Sequence, residues 1–367
     1  MVSPKEENER MKVVYTLRHR SHHPRYELEN GALQEPFEHP GRAEIIRSAL
    51  AADGSFEFVA PDEWGIDPIE AVHDPGLVAF LETAWEQYQQ ANGFTHDVVP
   101  DLFTLPALRE GMGPATEPTA IGARLGWWCF ETTTPLTHGT YGAARSSVDV
   151  ALTAADIVIN GDAVAYGLCR PPGHHAARAA YGGYCFFNNA AVVAHHLAVS
   201  TGSKVAVLDV DYHHGNGTQQ IFYDRADVQM VSLHGDPVRA YPYLTGFRDE
   251  IGAGKGRGTT SNFPLPARTG DEDYLDALTA ACGEIAGFGA EMVVVSLGLD
   301  TYFDDPISDL AVTADGFERS GAIVRQLGLP TVVLQEGGYA TAELGENARR
   351  WLLGVSSPEL GSPVQAS

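Results

Sequence analysis

Three runs in this chain, 204–208, 291–297 and 331–334, are apolar at almost every position, with no polar face at either the strand or the helix period. A strand of that kind has to be covered on both sides, which is the situation of a parallel sheet clad by helices on its two faces. Weaker runs of the same type recur between amphipathic stretches. The pattern predicts strands near 11–16, 162–168, 204–210, 227–233, 291–297 and 330–335. It predicts helices near 41–52, 75–91, 140–160, 187–201, 271–288, 315–328 and 341–353. Alternation of this sort specifies an α/β fold built on a doubly wound parallel sheet, read here as one domain over 1–367, although the length alone would accommodate two. Ligands of such sheets gather at the carboxyl ends of the strands.

Those ends are where the chemistry-bearing residues fall. The first apolar run leads into Asp209-Val210-Asp211-Tyr212-His213. At a two-residue period, Asp209, Asp211 and His213 leave the sheet on one side, so a carboxylate and an imidazole can reach one metal ion. The second run ends on Asp300, where a third ligand would sit. The third run ends in Glu336-Gly337-Gly338-Tyr339, in which two glycines allow close backbone approach and deliver a phenol. A fourth segment, Arg170-Pro171-Pro172-Gly173-His174-His175, holds adjacent histidines in a stiff loop suited to acid–base work, and Gly182-Gly183-Tyr184-Cys185-Phe186-Phe187-Asn188-Asn189 follows it.

Taken with Pro36-Phe37-Glu38-His39-Pro40-Gly41-Arg42, these motifs run through nearly the whole chain, and the chain resembles the zinc-dependent deacetylases of the histone deacetylase superfamily, most closely the bacterial acetylpolyamine amidohydrolases. The resemblance implies the arginase/deacetylase type of sheet. It implies metal ligands Asp211, His213 and Asp300, a catalytic pair His174 and His175, and Tyr339 as the donor to the transition state. It makes Asp209 the partner of His174 and places Asn216 opposite His175. It makes His175 the base and then the acid, with His174 acting electrostatically. Tyr184 and Tyr241, with Gly183 beside the former, match the wall of the family's substrate tunnel. A structural potassium or sodium ion is implied at Asp209, Asp211, His213, Ser232 and Leu233, and a second around Phe222, Arg225 and Val228.

The same fold carries two-manganese hydrolases, whose second ion needs further carboxylates. Gly215 and Gly298 stand at two of those positions, so one ion per chain is expected. Two carboxylates and one imidazole with an open position suit catalytic zinc, and also accept iron(II) or cobalt(II).

A net charge of −24 disfavours nucleic acid as a partner. It favours a cationic substrate, and serves solubility equally. Residues 1–10 contain no apolar signal core, and no stretch approaches the roughly 20 apolar residues of a membrane span. A cytoplasmic enzyme with no membrane partner is therefore expected. Cys129, Cys169, Cys185 and Cys282 lack C-x-x-C spacing and are read as reduced core residues. His195 and His196 fall inside a helix, away from the strand ends, and are assigned structural roles. The 252–258 run lacks the pattern of a phosphate loop and reads as a flexible loop, and residues 356–367 read as a fraying tail.

The interval 92–139 lacks periodicity and is far longer than an ordinary connection. It is read as an insertion near the mouth of the site, with its Trp127-Trp128-Cys129-Phe130 cluster buried either in a homodimer contact or against its own subunit. The polyamine enzymes carry glutamates here that meet distant ammonium groups, and Gly122 and Thr133 align with them; Glu131 is the candidate replacement. An N-acetylated small amine is the expected substrate. Protein acetyl-lysine and a specialised amide stay open, and a two-metal ureohydrolase or a non-catalytic sensor are remoter alternatives.

Overall fold

The computed structural model describes residues 10–93 and 97–356. Ten strands are present in this range: β1 (Met11–Val14), β2 (Glu27–Glu29), β3 (Ala32–Gln34), β4 (Phe56–Val59), β5 (Val164–Gly167), β6 (Val205–Asp209), β7 (Val228–Gly235), β8 (Thr260–Leu265), β9 (Met292–Leu297) and β10 (Thr331–Gln335). Eight of them form one sheet in the order β4-β1-β5-β10-β9-β6-β7-β8, and every pairing in it is parallel. β2 and β3 make a separate antiparallel hairpin.

Alternation along the central strands divides the interior in two. Val207, Val294, Val332 and Leu334 face one core, whereas Leu208, Val295 and Val333 face the other. The first is closed by α3 (Pro75–Asn92), α4 (Ile121–Trp128), α5 (Thr140–Ile159) and α6 (Asn189–Thr201). The second is closed by α1 (Gly41–Ala51), α8 (Asp271–Phe288), α9 (Ala314–Arg325) and α10 (Leu344–Ser356). Two short helices, α2 (Asp67–Glu70) and α7 (Asn216–Phe222), complete the set. The doubly wound parallel sheet expected from the apolar runs is thus present, with all six predicted strands and seven predicted helices in place.

Two edge strands escaped the pattern. The segment after the 252–258 loop pairs with β7 from Thr260 to Leu265 as β8. Pro264 removes a ladder donor, which only an edge position tolerates, and polar side chains mask the apolar period. β4, at the opposite edge, is only four residues long, too short for a period to register.

Between 97 and 139 the chain is partly ordered by α4. Trp128 is buried against Phe80 with ring centroids 6.4 Å apart, and Cys129 joins the same core. These two residues of the aromatic cluster are covered by their own subunit. All four cysteines are buried and unpaired. His195 approaches Arg225 at 3.1 Å and His196 packs edge-on to Trp64 at 5.1 Å, consistent with structural roles. The 1–9 segment and all but Ser356 of the 356–367 tail lie outside the described residues. No helix among those described is long and apolar enough to cross a membrane.

Candidate active site

Four adjacent strands in the middle of the sheet, β5, β10, β9 and β6, end at a common level: Gly167 pairs with Leu334, Leu334 with Ser296 and Ser296 with Asp209. The loops they release therefore converge, and they are the loops carrying the motif residues.

Asp211, His213 and Asp300 are all buried, and their ligand-offering atoms lie within 4.8 Å of one another. His213 Nδ1 is 3.0 Å from Asp300 Oδ2 and 3.3 Å from Asp211 Oδ1. Two buried carboxylates around one nitrogen require positive charge between them. Burial and the neighbouring Asp211 charge push Asp300 up to about 7. Burial would depress His213, but hydrogen bonds to Asp211 and Asp300 outweigh it and raise the imidazole to about 10. A divalent cation would displace that proton and take the neutral imidazole nitrogen, so the donor set fits a metal ion.

The glycines beside these ligands mark close backbone approach. A Cβ on Gly298 would stand 2.2 Å from Asp211 Oδ2, one on Gly337 2.4 Å from Asp300 Oδ2, and one on Gly215 2.1 Å from Asp209 Oδ2. The Gly337 amide donates to Asp211 Oδ2 at 2.8 Å. A side chain at position 215 or 298 would therefore have to displace one of these carboxylates.

The tandem histidine rings lie with centroids 4.0 Å apart, tilted by 41°, yet are held differently. His174 Nδ1 meets Asp209 Oδ2 at 3.0 Å, and His175 Nδ1 meets Asn216 Oδ1 at 2.7 Å. Burial would lower His174, but the charges of Asp209 and Asp211 raise it to about 10. Burial, reinforced by His174 and His213, drives His175 well below its ordinary value. One histidine is thus stabilised as a cation and the other as a neutral base. With Nδ1–H donated to Asn216, His175 keeps its lone pair on Nε2.

Tyr339 follows Gly338, whose φ of 123° is reserved in practice for glycine. The Arg42 guanidinium lies 4.6 Å above the Tyr339 ring and donates to Gly338 O at 2.6 Å and Glu336 O at 2.8 Å. Burial raises the phenol well above its usual range, so it stays a donor. Tyr339, His175, His213, Tyr184, Tyr241, Gly183 and Glu131 line one cavity of about 370 Å³. Tyr241 stands edge-on to His175 at 5.0 Å. A side chain at Gly183 would strike His175 at 2.4 Å. Tyr184 adopts φ 65°, a strained state for a non-glycine residue of the kind found at functional sites.

Glu131 is placed in the cavity wall, but its oxygens are already engaged. Oε1 accepts from the Gly183 amide at 3.0 Å and from the Thr134 hydroxyl. Oε2 accepts from the Thr133 amide and from the Thr133 hydroxyl at 2.6 Å. Glu131 thus lines the cavity and also organises the turn that carries Thr133 and Thr134. Thr133 also lines the cavity, whereas Gly122 is not among the lining residues. The lining also includes Glu29, on the β2–β3 hairpin, whose Oε2 accepts from Gln34 Nε2 at 2.5 Å.

Of the cation positions, Asp209, Asp211, His213, Ser232 and Leu233 cluster where β6 pairs with β7, Asp209 opposite Ser232. Phe222, Arg225 and Val228 flank the turn between α7 and β7, where the Arg225 carbonyl accepts from Thr259 Oγ1 at 3.0 Å.

Sequence reasoning assigned no role to Glu38, Arg42, Glu336 or Asp305. Glu336 Oε2 accepts from the amides of Gly173 and His174 at 2.6 and 3.2 Å, tying the histidine loop to β10. Its position directly after an apolar strand was the available signal. Asp305 had none.

Asp211, His213 and Asp300 could hold a metal ion, and they lie with the tandem histidines at an aromatic-walled cavity, an arrangement suited to hydrolysis. A histone deacetylase domain matches residues 36–355, and the chain belongs to that family. It is 44% identical over 344 residues to acetylpolyamine amidohydrolase 2 of Pseudomonas aeruginosa, covering 94% of this chain and 98% of the relative. It is 42% identical over 346 residues to the acetylpolyamine amidohydrolase of Mycoplana ramosa, covering 94% of this chain and 100% of the relative. The crystal structure of acetylpolyamine aminohydrolase from Burkholderia pseudomallei superposes with a TM-score of 0.87 at 40% identity, over 94% of this chain and 98% of that one.

Proposed function

We propose that the protein is a single-zinc amidohydrolase that removes acetyl groups from N-acetylated small amines, acetylpolyamines in particular. The observation that carries this reading is the pairing of the Asp211–His213–Asp300 set with a neutral His175 in one buried cavity. Zinc held by those three side chains would polarise the acyl oxygen and acidify the attacking water. His175, fixed in one tautomer by Asn216, receives the water proton on Nε2 and later delivers it to the departing amine. His174, held as a cation by Asp209, favours the developing negative charge. Tyr339 donates its O–H to the oxyanion, a contribution commonly worth about 3–4 kcal/mol. Tyr184 and Tyr241 flank the slender acyl-amine chain and exclude water.

Metal analysis checks the count. One zinc per chain is expected, with hydroxamates inhibiting by chelation; two tightly bound divalent ions per site would sink the single-metal reading.

Substrate choice is tested by ranking acetylated polyamines, acetyl-lysine peptides and neutral acetamides by kcat/KM. The −24 charge favours cationic amides, as do the relatives' names. Glu29→Gln is expected to raise KM for acetylpolyamines several-fold and to spare a neutral acetamide, with the effect fading as salt screens charges beyond roughly 8 Å. Glu131→Gln, by loosening the turn, is expected to impair both substrates alike. Selective loss in Glu131→Gln with none in Glu29→Gln would reverse the two assignments.

The same reading includes a potassium or sodium ion held by backbone carbonyls at the β6–β7 site and another at the 222–228 turn. It includes a homodimer as well, supported by Leu102, Leu105, Leu108 and Met112, which are all exposed on the 97–139 segment. A cytoplasmic location and the absence of nucleic-acid and membrane partners complete it.

A further inference from the structure

The two glycines before Tyr339 give its backbone a freedom that ordinary residues lack, so the turn cannot by itself fix where the phenol stands. On one side Arg42 grips Gly338 O and Glu336 O. On the other side stands Asp305, 7% exposed. Its Oδ2 accepts from the amides of Tyr339 at 2.7 Å and Ala340 at 3.1 Å. Its Oδ1 accepts from the Ile307 amide at 3.1 Å, and its own amide donates to Tyr302 O at 3.0 Å. One carboxylate therefore joins the loop descending from Asp300 to the turn that carries the phenol.

We propose that Asp305 is a positioning residue for the reaction, setting the location of the Tyr339 hydroxyl in the cavity through the backbone amides of Tyr339 and Ala340. The inference rests on the role given to Tyr339 above. A tyrosine hydroxyl stands at the end of a long lever, so a small rotation of the backbone moves it far. Displacement on the order of 1 Å at a catalytic group costs on the order of 100-fold in rate. Charge-assisted bonds to two consecutive amides resist that rotation more strongly than neutral acceptors would.

The test measures kcat, KM and zinc content on an N-acetylated diamine for Asp305→Ala and Asp305→Asn, each in the wild type and in Tyr339→Phe. Asp305→Ala is expected to lower kcat by about 10- to 100-fold with KM within about twofold and zinc unchanged, while Asp305→Asn, which keeps one acceptor oxygen, stays within about fivefold of wild type. In Tyr339→Phe, where the phenol is gone, neither substitution lowers kcat by more than about twofold. Equal losses in both backgrounds, or a wild-type kcat in Asp305→Ala, would overturn the proposal. If Asp305→Ala does not fold or loses zinc, Asp305→Asn carries the test, with a loss of about three- to fivefold expected only where the phenol is present. A wild-type rate in Tyr339→Phe alone would refute the role of the phenol and Asp305's with it; a slow Tyr339→Phe beside a normal Asp305→Ala would refute only the latter.

Discussion

His175→Ala is expected to lower kcat by about 10²- to 10⁴-fold, the usual contribution of a positioned general base, while zinc content and the unfolding transition stay at wild type. His175 meets Asn216 through Nδ1 and is not one of the three ligand residues, so its removal leaves the metal set whole. The asymmetry of the pair makes the prediction sharper. The Asp209 carboxylate at His174 Nδ1 favours the charged form of that ring, whereas burial favours the neutral form of His175. His174→Ala should accordingly cost less than His175→Ala. Measurement of kcat for both variants on one acetylated amine decides it, and a larger loss in His174→Ala would exchange the roles.

How far the sequence revealed this site depends on how local each signal is. Asp211, His213, Asp300 and Tyr339 were legible because each follows a doubly buried strand, and strand ends in a parallel sheet must converge. His174 and His175 were legible as a pair from their spacing, but their separate roles only through the family resemblance, since the distinction arises from Asp209 and Asn216, which the fold brings in from 35 and 41 residues away. Of the supports, only Glu336, directly after an apolar strand, left a signal. Glu38 meets Arg170 across 132 residues, and Arg42 meets Glu336 O across 294. Periodicity places such residues in a loop or on a helix and says nothing of which backbone groups they will hold. Glu131 lies at the cavity, but the neighbouring threonines and glycine amide that share its acceptors were not legible from the sequence.

Glu38→Gln is expected to destabilise the protein by about 3–5 kcal/mol, because it removes one partner from a buried ionic network. Glu38 receives Arg170 Nε at 2.7 Å, Arg170 NH2 at 2.9 Å and Arg42 NH1 at 3.1 Å. Arg42, Arg170 and Glu38 are each at most 3% exposed. An amide there would leave two guanidiniums with no facing anion. Burial alone would raise Glu38, but Arg170 and Arg42 overcome it and hold the carboxyl down from 4.5 to about 2. A depressed folded-state value means that the ionised form stabilises the fold above the unfolded value and that this stabilisation is lost as pH falls. The difference between wild type and Glu38→Gln in urea unfolding should therefore be full above pH 4.5 and shrink between 4.5 and about 2. Because Arg42 also grips the turn before Tyr339, the variant should lose activity at denaturant concentrations where its overall fold survives. A stability difference that is small at pH 7, or that does not diminish on acidification, would show that the network is not what holds this side of the site.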